Sequence, residues 1–330
     1  MTAVEVAAEP MPAPGSVAGD PAGPTADVRP GWIARSVRAG TDLTTLLRPQ
    51  QWTKNLLAVP LALLDAPAWT AATVGRVGWA VLLFTLASSL VYVVNDVADR
   101  HLDRGHPGKR SRPVASGRIS PTLAWTIAAV LTGLLGTAVV VGPDIAWWPL
   151  AGYLVLNLAY SRWLKHVPLI DISVVAAGFV LRVLLGYAAT GGPVSAWLLT
   201  TVFATCLLLI LGKRRQELAV DGAAHRPALR GYNLGLADQL ITVNATVAVL
   251  GFLLYLNSEA PVGAHRDALL LAAVPLTLFG VSRYLQAVLV RRGGGDPVRT
   301  LLRDRLILTT AALLAVVVGA ALFAVNYPSS

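Results

Sequence analysis

The sequence predicts an all-α membrane protein. Of its 330 residues, 55% are hydrophobic and only 14% are charged, with a mean hydropathy of +0.61. A soluble domain carries about a quarter charged residues, so a soluble enzyme, a coiled coil and a disordered scaffold are all disfavoured. Apolar runs close to the roughly 20 residues that cross a bilayer core as helix recur along the chain, and the charge of the segments between them alternates. The lipid bilayer is therefore the first expected partner. The net charge of +9 fits membrane orientation, and no nucleic-acid partner is expected.

The elements follow in order. Residues 1–30 hold 6 Pro, 3 Gly and 7 Ala, without the basic and then apolar order of a signal peptide. Residues 1–41 are read as a disordered Ala/Pro/Gly-rich tail and 42–330 as one intramembrane domain. Nine spans are expected: 55–66 extended back toward Leu43, then 72–94, 121–141, 145–161, 168–189, 195–212, 237–257, 266–288 and 304–326. Arg48, Pro49 and Lys54 interrupt the first. The links 142–144 and 190–194 carry Gly-Pro and Gly-Gly-Pro, which suit tight turns between antiparallel helices. The single cysteine, Cys206, lies inside an apolar run; it reads as a small buried hydrophobe.

Of the 27 Lys and Arg residues, 24 fall on the N-terminal flank and on the links after spans 2, 4, 6 and 8. The positive-inside rule then places the N-terminus in the cytoplasm and the C-terminus outside. Trp69, Trp147, Trp148 and Trp197 fall at the expected outer ends, as an interfacial aromatic belt would.

So many cations on one side exceed what orientation needs. Attraction to anionic lipid is one explanation; a set of phosphate-binding loops is another. The two differ in whether carboxylates stand among the cations, and they do. Asn95, Asp96, Asp99 and Asp103 close the second span, and in a continuous helix their i+3 and i+4 spacing puts all four on one face. Like charges so placed repel and call for a cation. Hard oxygen ligands in this number suit Mg²⁺, which takes one or two carboxylates plus phosphate oxygens. The competing reading is a solvated helix end paired with Arg100, Arg104 and His101. The segment that follows, with Lys109, Arg110, Arg112 and Arg118, is basic and turn-rich, as neutralising a bound diphosphate requires.

The run NDVADRHLD followed by KRSRPVASGRIS resembles the first signature of the UbiA superfamily of intramembrane prenyltransferases. The resemblance covers roughly residues 42–326. It implies nine helices around a lipid-open cavity, with Asp-rich motifs holding Mg²⁺-diphosphate at the cytoplasmic mouth. Where most members carry a second Asp-rich motif, this chain reads Gly212-Lys213-Arg214-Arg215-Gln216-Glu217, with Asp221 four residues on. Three consecutive cations precede the acids, which favours a site holding more phosphate than one diphosphate. The segments Arg48-Pro49-Gln50-Gln51-Trp52-Thr53-Lys54-Asn55 and Tyr160-Ser161-Arg162-Trp163-Leu164-Lys165, with Asp171 after them, are similar to the decaprenyl-phosphate phosphoribosyltransferase branch.

That branch implies phosphoribosyl pyrophosphate as donor and a polyprenyl phosphate as acceptor, in arabinan precursor synthesis for the cell wall. The site would sit at the cytoplasmic face of the plasma membrane. Asp96, Asp99 and Asp103 are the expected catalytic and metal-holding residues, with Asn95 supporting. Lys54, Lys109, Arg110, Arg112, Lys165, Arg214 and Arg230 are candidate phosphate contacts, and each could instead be an orientation cation. Tyr160, Lys213 and Glu217 complete the substrate-binding set. Arg182, about three turns into span 5, is an expensive charge in lipid; it is expected to line the cavity and meet the lipid phosphate, or else to pair with Asp171. A homo-oligomer stays open as a further partner.

Gly293-Gly294-Gly295 lacks the Lys-Ser/Thr of a P-loop and reads as a flexible loop. The five histidines show no metal spacing. The alternative activity is prenyl transfer from a prenyl diphosphate to an aromatic acceptor, which would expect acids where Lys213, Arg214 and Arg215 stand. A transporter would show paired repeats with broken helices at the midplane, and no such repeat is visible.

Overall fold

The computed structural model describes residues 32–66, 68–105, 108–221, 227–290 and 297–326. Its α-helices are α1 Trp32–Leu47, α2 Thr53–Ala58, α3 Ala71–Ala98, α4 Arg100–Arg104, α5 Pro121–Val141, α6 Trp148–Arg162, α7 Ile170–Thr190, α8 Ala196–Asp221, α9 Leu234–Leu254, α10 Arg266–Leu285, α11 Pro297–Arg303 and α12 Arg305–Asn326. No strand occurs among the described residues. By contact the chain divides into Met1–Thr41 and Asp42–Ser330, and the second unit carries the features below. Residues 1–31 of the expected tail lie outside the described residues, whereas 32–41 belong to α1.

Among the described residues seven helices are long and apolar enough to cross a membrane: Ala71–Ala98, Pro121–Val141, Ile170–Thr190, Ala196–Val220, Leu234–Glu259, Gly263–Val290 and Arg305–Val325. These coincide with seven of the nine expected spans. The other two take a different form. The first is broken into α2 and 3-10 turns at Pro49–Gln51 and Val59–Asp65. Pro49 and Pro60 each stand in the first positions of a new turn, because proline lacks the amide a continuing helix needs. The fourth, α6, has 15 residues, which rise only about 22 Å against a hydrocarbon core of about 30 Å.

Helix starts follow local chemistry. Thr70, Ser120 and Asn233 accept from the backbone N–H three residues on, as N-caps do. At Gly186 a Cβ would lie 2.2 Å from the Val59 carbonyl oxygen. Glycine there lets the 3-10 segment Val59–Asp65 press against α7. Val59, Leu83, Phe84, Tyr153 and Leu185 form one core among α3, α6 and α7. Ile172, Leu211, Leu229, Ile241 and Val288 form another among α7 to α10. Outward positions stay apolar, as at Val140, Val155, Leu271 and Val316, which suits a lipid-facing surface.

Hydrogen bonds show which helix ends meet. At one end Arg76 on α3 donates to the carbonyls of Ala189 at 2.8 Å and Asp144 at 2.6 Å. At that end too, Tyr187 and Tyr255 both donate to Asp65, the latter at 2.7 Å, and Ser195 donates to Glu259. The other end gathers the C-termini of α3, α6 and α8 and the N-terminus of α7.

Candidate active site

The acidic motif lies where α3 stops. Its helix is not continuous: α3 ends at Ala98 and Asp99 is its C-cap, with φ −89° and ψ 2°, before α4 begins at Arg100. The expected single face is therefore split. Asp96 and Asp103 converge, both almost fully buried, and share one guanidinium. Arg112 Nη1 lies 2.7 Å from Asp103 Oδ2 and 3.4 Å from Asp96 Oδ1. Arg48 also pairs with Asp96, and exposed Lys109 stands 4.0 Å from Asp103. Asp99 turns the other way, to Lys165 Nζ at 3.0 Å. Asn95 accepts from Ser161 Oγ at 2.6 Å.

Arg48 was not among the expected site residues, although it opens the Arg-Pro-Gln-Gln-Trp run. It adopts a left-handed backbone, φ 54° and ψ 61°, which costs a non-glycine residue about 1–2 kcal/mol. The following proline disfavours the right-handed helical alternative. In this pose its guanidinium meets Asp96 and lies 5.0 Å above the Tyr92 ring centroid.

A second cluster surrounds buried Asp171 on α7. Arg214, 5% exposed, holds its Nε 3.4 Å from Asp171 Oδ2 and also pairs with Glu217. Tyr232 donates its hydroxyl to Asp171 Oδ1 at 3.1 Å and accepts the Leu169 N–H at 2.9 Å. Burial pushes the Tyr232 hydroxyl up to about 12, so it remains a donor at neutral pH. This bond braces Leu169, whose φ is +65°. Lys213 is exposed, 4.0 Å from Glu217, and Arg215 pairs instead with Asp238 on α9. Half-buried Lys54 lies on α2 immediately before Asn55, the partner of Arg182.

Arg182 does not take Asp171 as its partner. Nε donates to Asn55 Oδ1 at 2.7 Å, Nη1 to the Gly178 carbonyl at 2.6 Å and Nη2 to the Tyr153 hydroxyl at 3.2 Å. The rings of Tyr153, Phe179 and Phe84 surround it at 4.7 to 5.3 Å. Asn55, fully buried, in turn donates to Ser88 at 3.2 Å and to Thr85 at 3.3 Å. The charge is thus absorbed by amide, carbonyl and π-faces, the kinds of partner a membrane-buried cation needs.

Tyr160 is half-buried on α6, whereas Arg110 and Arg230 are exposed and have no ion pair among the described residues. The Asp221 side chain, His106, His225 and Gly293-Gly294-Gly295 lie outside the described residues.

The three carboxylates do not close on one point. Among the described residues no three Asp, Glu, His or Cys side chains converge tightly enough to form a metal cluster by themselves. Of the three expected carboxylates, Asp96 and Asp103 lie together on Arg112, and Asp99 stands apart on Lys165. The helix break at Asp99 is the reason. The pair still suits a cation, since one guanidinium nitrogen already sits between them. In addition, Asp96 Oδ2 is buried with no hydrogen-bond partner. Two carboxylates with phosphate oxygens and water are an ordinary Mg²⁺ environment.

Comparison with known proteins adds the family. The model of the UbiA prenyltransferase family matches residues 56–303. Over 285 residues the chain is 36% identical to a decaprenyl-phosphate phosphoribosyltransferase of Mycobacterium tuberculosis, covering 83% of this chain and 92% of that one. It is 32% identical over 303 residues to the protein of the same name from Mycolicibacterium smegmatis, covering 85% and 92%. Among solved structures, a UbiA homolog from Archaeoglobus fulgidus bound to GPP and Mg²⁺ superposes with a TM-score of 0.63 at 18% identity, covering 86% of this chain and 99% of that chain.

Proposed function

The chain belongs to the UbiA prenyltransferase family, and on that premise we propose that it moves a 5-phosphoribosyl group from phosphoribosyl pyrophosphate to decaprenyl phosphate, releasing pyrophosphate. One observation carries this reading beyond the family: cations outnumber acids where the helix ends meet. Around Asp96, Asp99 and Asp103 stand Arg48, Lys109, Arg112 and Lys165, with Lys54 and Lys213 beyond them. A donor with a diphosphate and a 5-phosphate, facing a lipid phosphate, needs that surplus. A prenyl diphosphate with a neutral aromatic acceptor does not.

Asp96 and Asp103, which share one guanidinium, are the residues that would hold Mg²⁺, an ion bound in a solved structure of similar fold. Held there, Mg²⁺ would supply charge stabilisation for the departing pyrophosphate. Arg112 and Arg48 then exchange carboxylate for phosphate oxygens, as guanidinium forks do readily. The bond from ribose C1 to pyrophosphate breaks as a lipid phosphate oxygen attacks from the opposite face, inverting C1. That oxygen is ionised near neutral pH, so the chain supplies no general base. Its work is positioning and charge stabilisation. Arg182 and Asn55 hold α7 and α2 together beneath the site, and Arg214, Asp171 and Tyr232 fix the start of α7.

The charged end faces the cytoplasm of the plasma membrane, and the product serves cell-wall arabinan synthesis. The broken segment from Asp42 to Ala66 and the short α6 make the remaining two of nine crossings. This leaves the N-terminus inside and the C-terminus outside. The test is purified protein with ribose-labelled phosphoribosyl pyrophosphate, decaprenyl phosphate and Mg²⁺. Label entering the lipid extract, and stopped by EDTA, is the expected result. Turnover of prenyl diphosphate onto an aromatic acceptor, with no label transferred, would overturn the reading.

A further inference from the structure

The chain enters α7 through a strained turn. Leu169 has φ +65° and ψ −42°, and the Ile170 N–H reaches back to the Pro168 carbonyl at 2.8 Å. This is a γ-turn of the positive-φ kind, which is rare and costly for a residue with a Cβ. Glycine would take this φ without steric cost. Leucine stands there instead, and it is 47% exposed, so core packing does not demand it.

What holds the turn comes from another part of the chain. Tyr232, in the link between α8 and α9, accepts the Leu169 N–H at 2.9 Å and donates to Asp171 Oδ1 at 3.1 Å. Beside it, Gly231 lies hard against the turn: a Cβ there would stand 2.4 Å from Pro168 Cγ and 2.5 Å from Pro168 Cβ. Leu229 and Tyr232 are buried in the core among α7 to α10, which anchors the link. Strained backbone persists only where its surroundings over-determine it, and here the surroundings are the α8–α9 link.

The turn lies between two charged contacts. Before it, the 3-10 segment Leu164–His166 carries Lys165, 3.0 Å from Asp99. After it, Asp171 Oδ2 lies 3.4 Å from Arg214 Nε. One backbone turn therefore sets both. With leucine at its centre, the turn depends on the docked α8–α9 link; with glycine it would not.

We propose that Tyr232 is a positioning residue for diphosphate binding. Its grip on the Leu169 turn sets Lys165 against the acidic motif and Asp171 against Arg214 together. The inference rests on the reading that these cations meet the donor's phosphates, whichever group is transferred.

The test is calorimetric binding of inorganic pyrophosphate with Mg²⁺ to the full chain in detergent micelles, well below the melting midpoint of every variant. Tyr232→Phe should weaken binding by at least about tenfold, as misplaced binding groups do. It should also lower the midpoint, because the Leu169 N–H loses its acceptor. Adding Leu169→Gly should bring affinity back to within about threefold of wild type, since glycine keeps the turn unaided. The midpoint should stay low, because the lost hydrogen bonds are not restored. Adding Leu169→Ala, which keeps a Cβ, should restore neither. A purely structural tyrosine would move affinity and midpoint together. Gly231→Ala reaches the same turn with every hydrogen-bonding group still present, and it should weaken pyrophosphate binding too, even if Tyr232→Phe does not fold. Wild-type affinity in either Tyr232→Phe or Gly231→Ala overturns the inference, as does equal recovery with glycine and alanine at position 169. Absence of pyrophosphate binding in the wild type itself would sink the phosphate-site reading and the inference with it.

Discussion

The two ends of the bundle treat their acids in opposite ways. At one end Asp65 is buried and receives two tyrosine hydroxyls, from α7 and from the continuation of α9. Both donors are neutral and internal, and nothing there is left to exchange. At the other end Asp96 and Asp103 are just as buried but face cations that reach in from half-exposed positions. One Asp96 oxygen lacks a hydrogen-bond partner. An acid saturated by neutral, internal donors is a rivet between helices. An acid held by movable cations is a site, because a phosphate can take the cations and a metal can take the carboxylate. Burial alone does not separate the two cases; the nature of the partners does.

That contrast can be broken by substitution. Asp96→Asn should cost the most, lowering kcat by at least about 10²-fold, the scale of losing one preorganised charge-stabilising group, with the thermal midpoint held or raised as a buried charge is removed. Arg182→Met comes next and acts on stability. It leaves the Asn55 oxygen and the Gly178 carbonyl without their donor, each worth about 1–3 kcal/mol, so the melting midpoint of the purified protein should fall by several degrees. Asp65→Asn should behave as the mirror of Asp96→Asn, lowering the midpoint through about 1–3 kcal/mol of mispaired hydroxyls while kcat per folded molecule stays within about twofold. If Asp65→Asn instead abolishes turnover with the midpoint unchanged, the distinction between rivet and site fails. The smallest effect should come from Arg118→Gln, which loses the partly exposed pair to Asp42 at 2.7 Å. Such pairs contribute about 0–1 kcal/mol, and a denaturation series should barely register it.

Much of this was legible from residue order, for reasons that show where legibility stops. Apolar length located seven crossings because a bilayer imposes it. It did not show how short α6 is, since the helix begins at Trp148, three residues inside the expected 145–161. The acid spacing identified Asp96, Asp99 and Asp103 as a group. Their shared face presumed an unbroken helix, whereas the bend at Asp99 accompanies an ion pair to Lys165, 66 residues away. Periodicity carries no record of a partner that distant. Arg182 was recognisable as a buried cation needing a partner, but its partner Asn55 comes from 127 residues earlier, and only the broken first segment brings it there. Arg48 carried a visible signal, since an arginine before proline is barred from simply continuing a helix.

The most direct measurement is calorimetric binding of phosphoribosyl pyrophosphate to the purified protein, with and without Mg²⁺, in wild type, Asp96→Asn and Asp65→Asn. The account predicts binding that requires Mg²⁺, is lost in Asp96→Asn and survives in Asp65→Asn. Binding that ignores the metal and is equal in Asp96→Asn and wild type would contradict it.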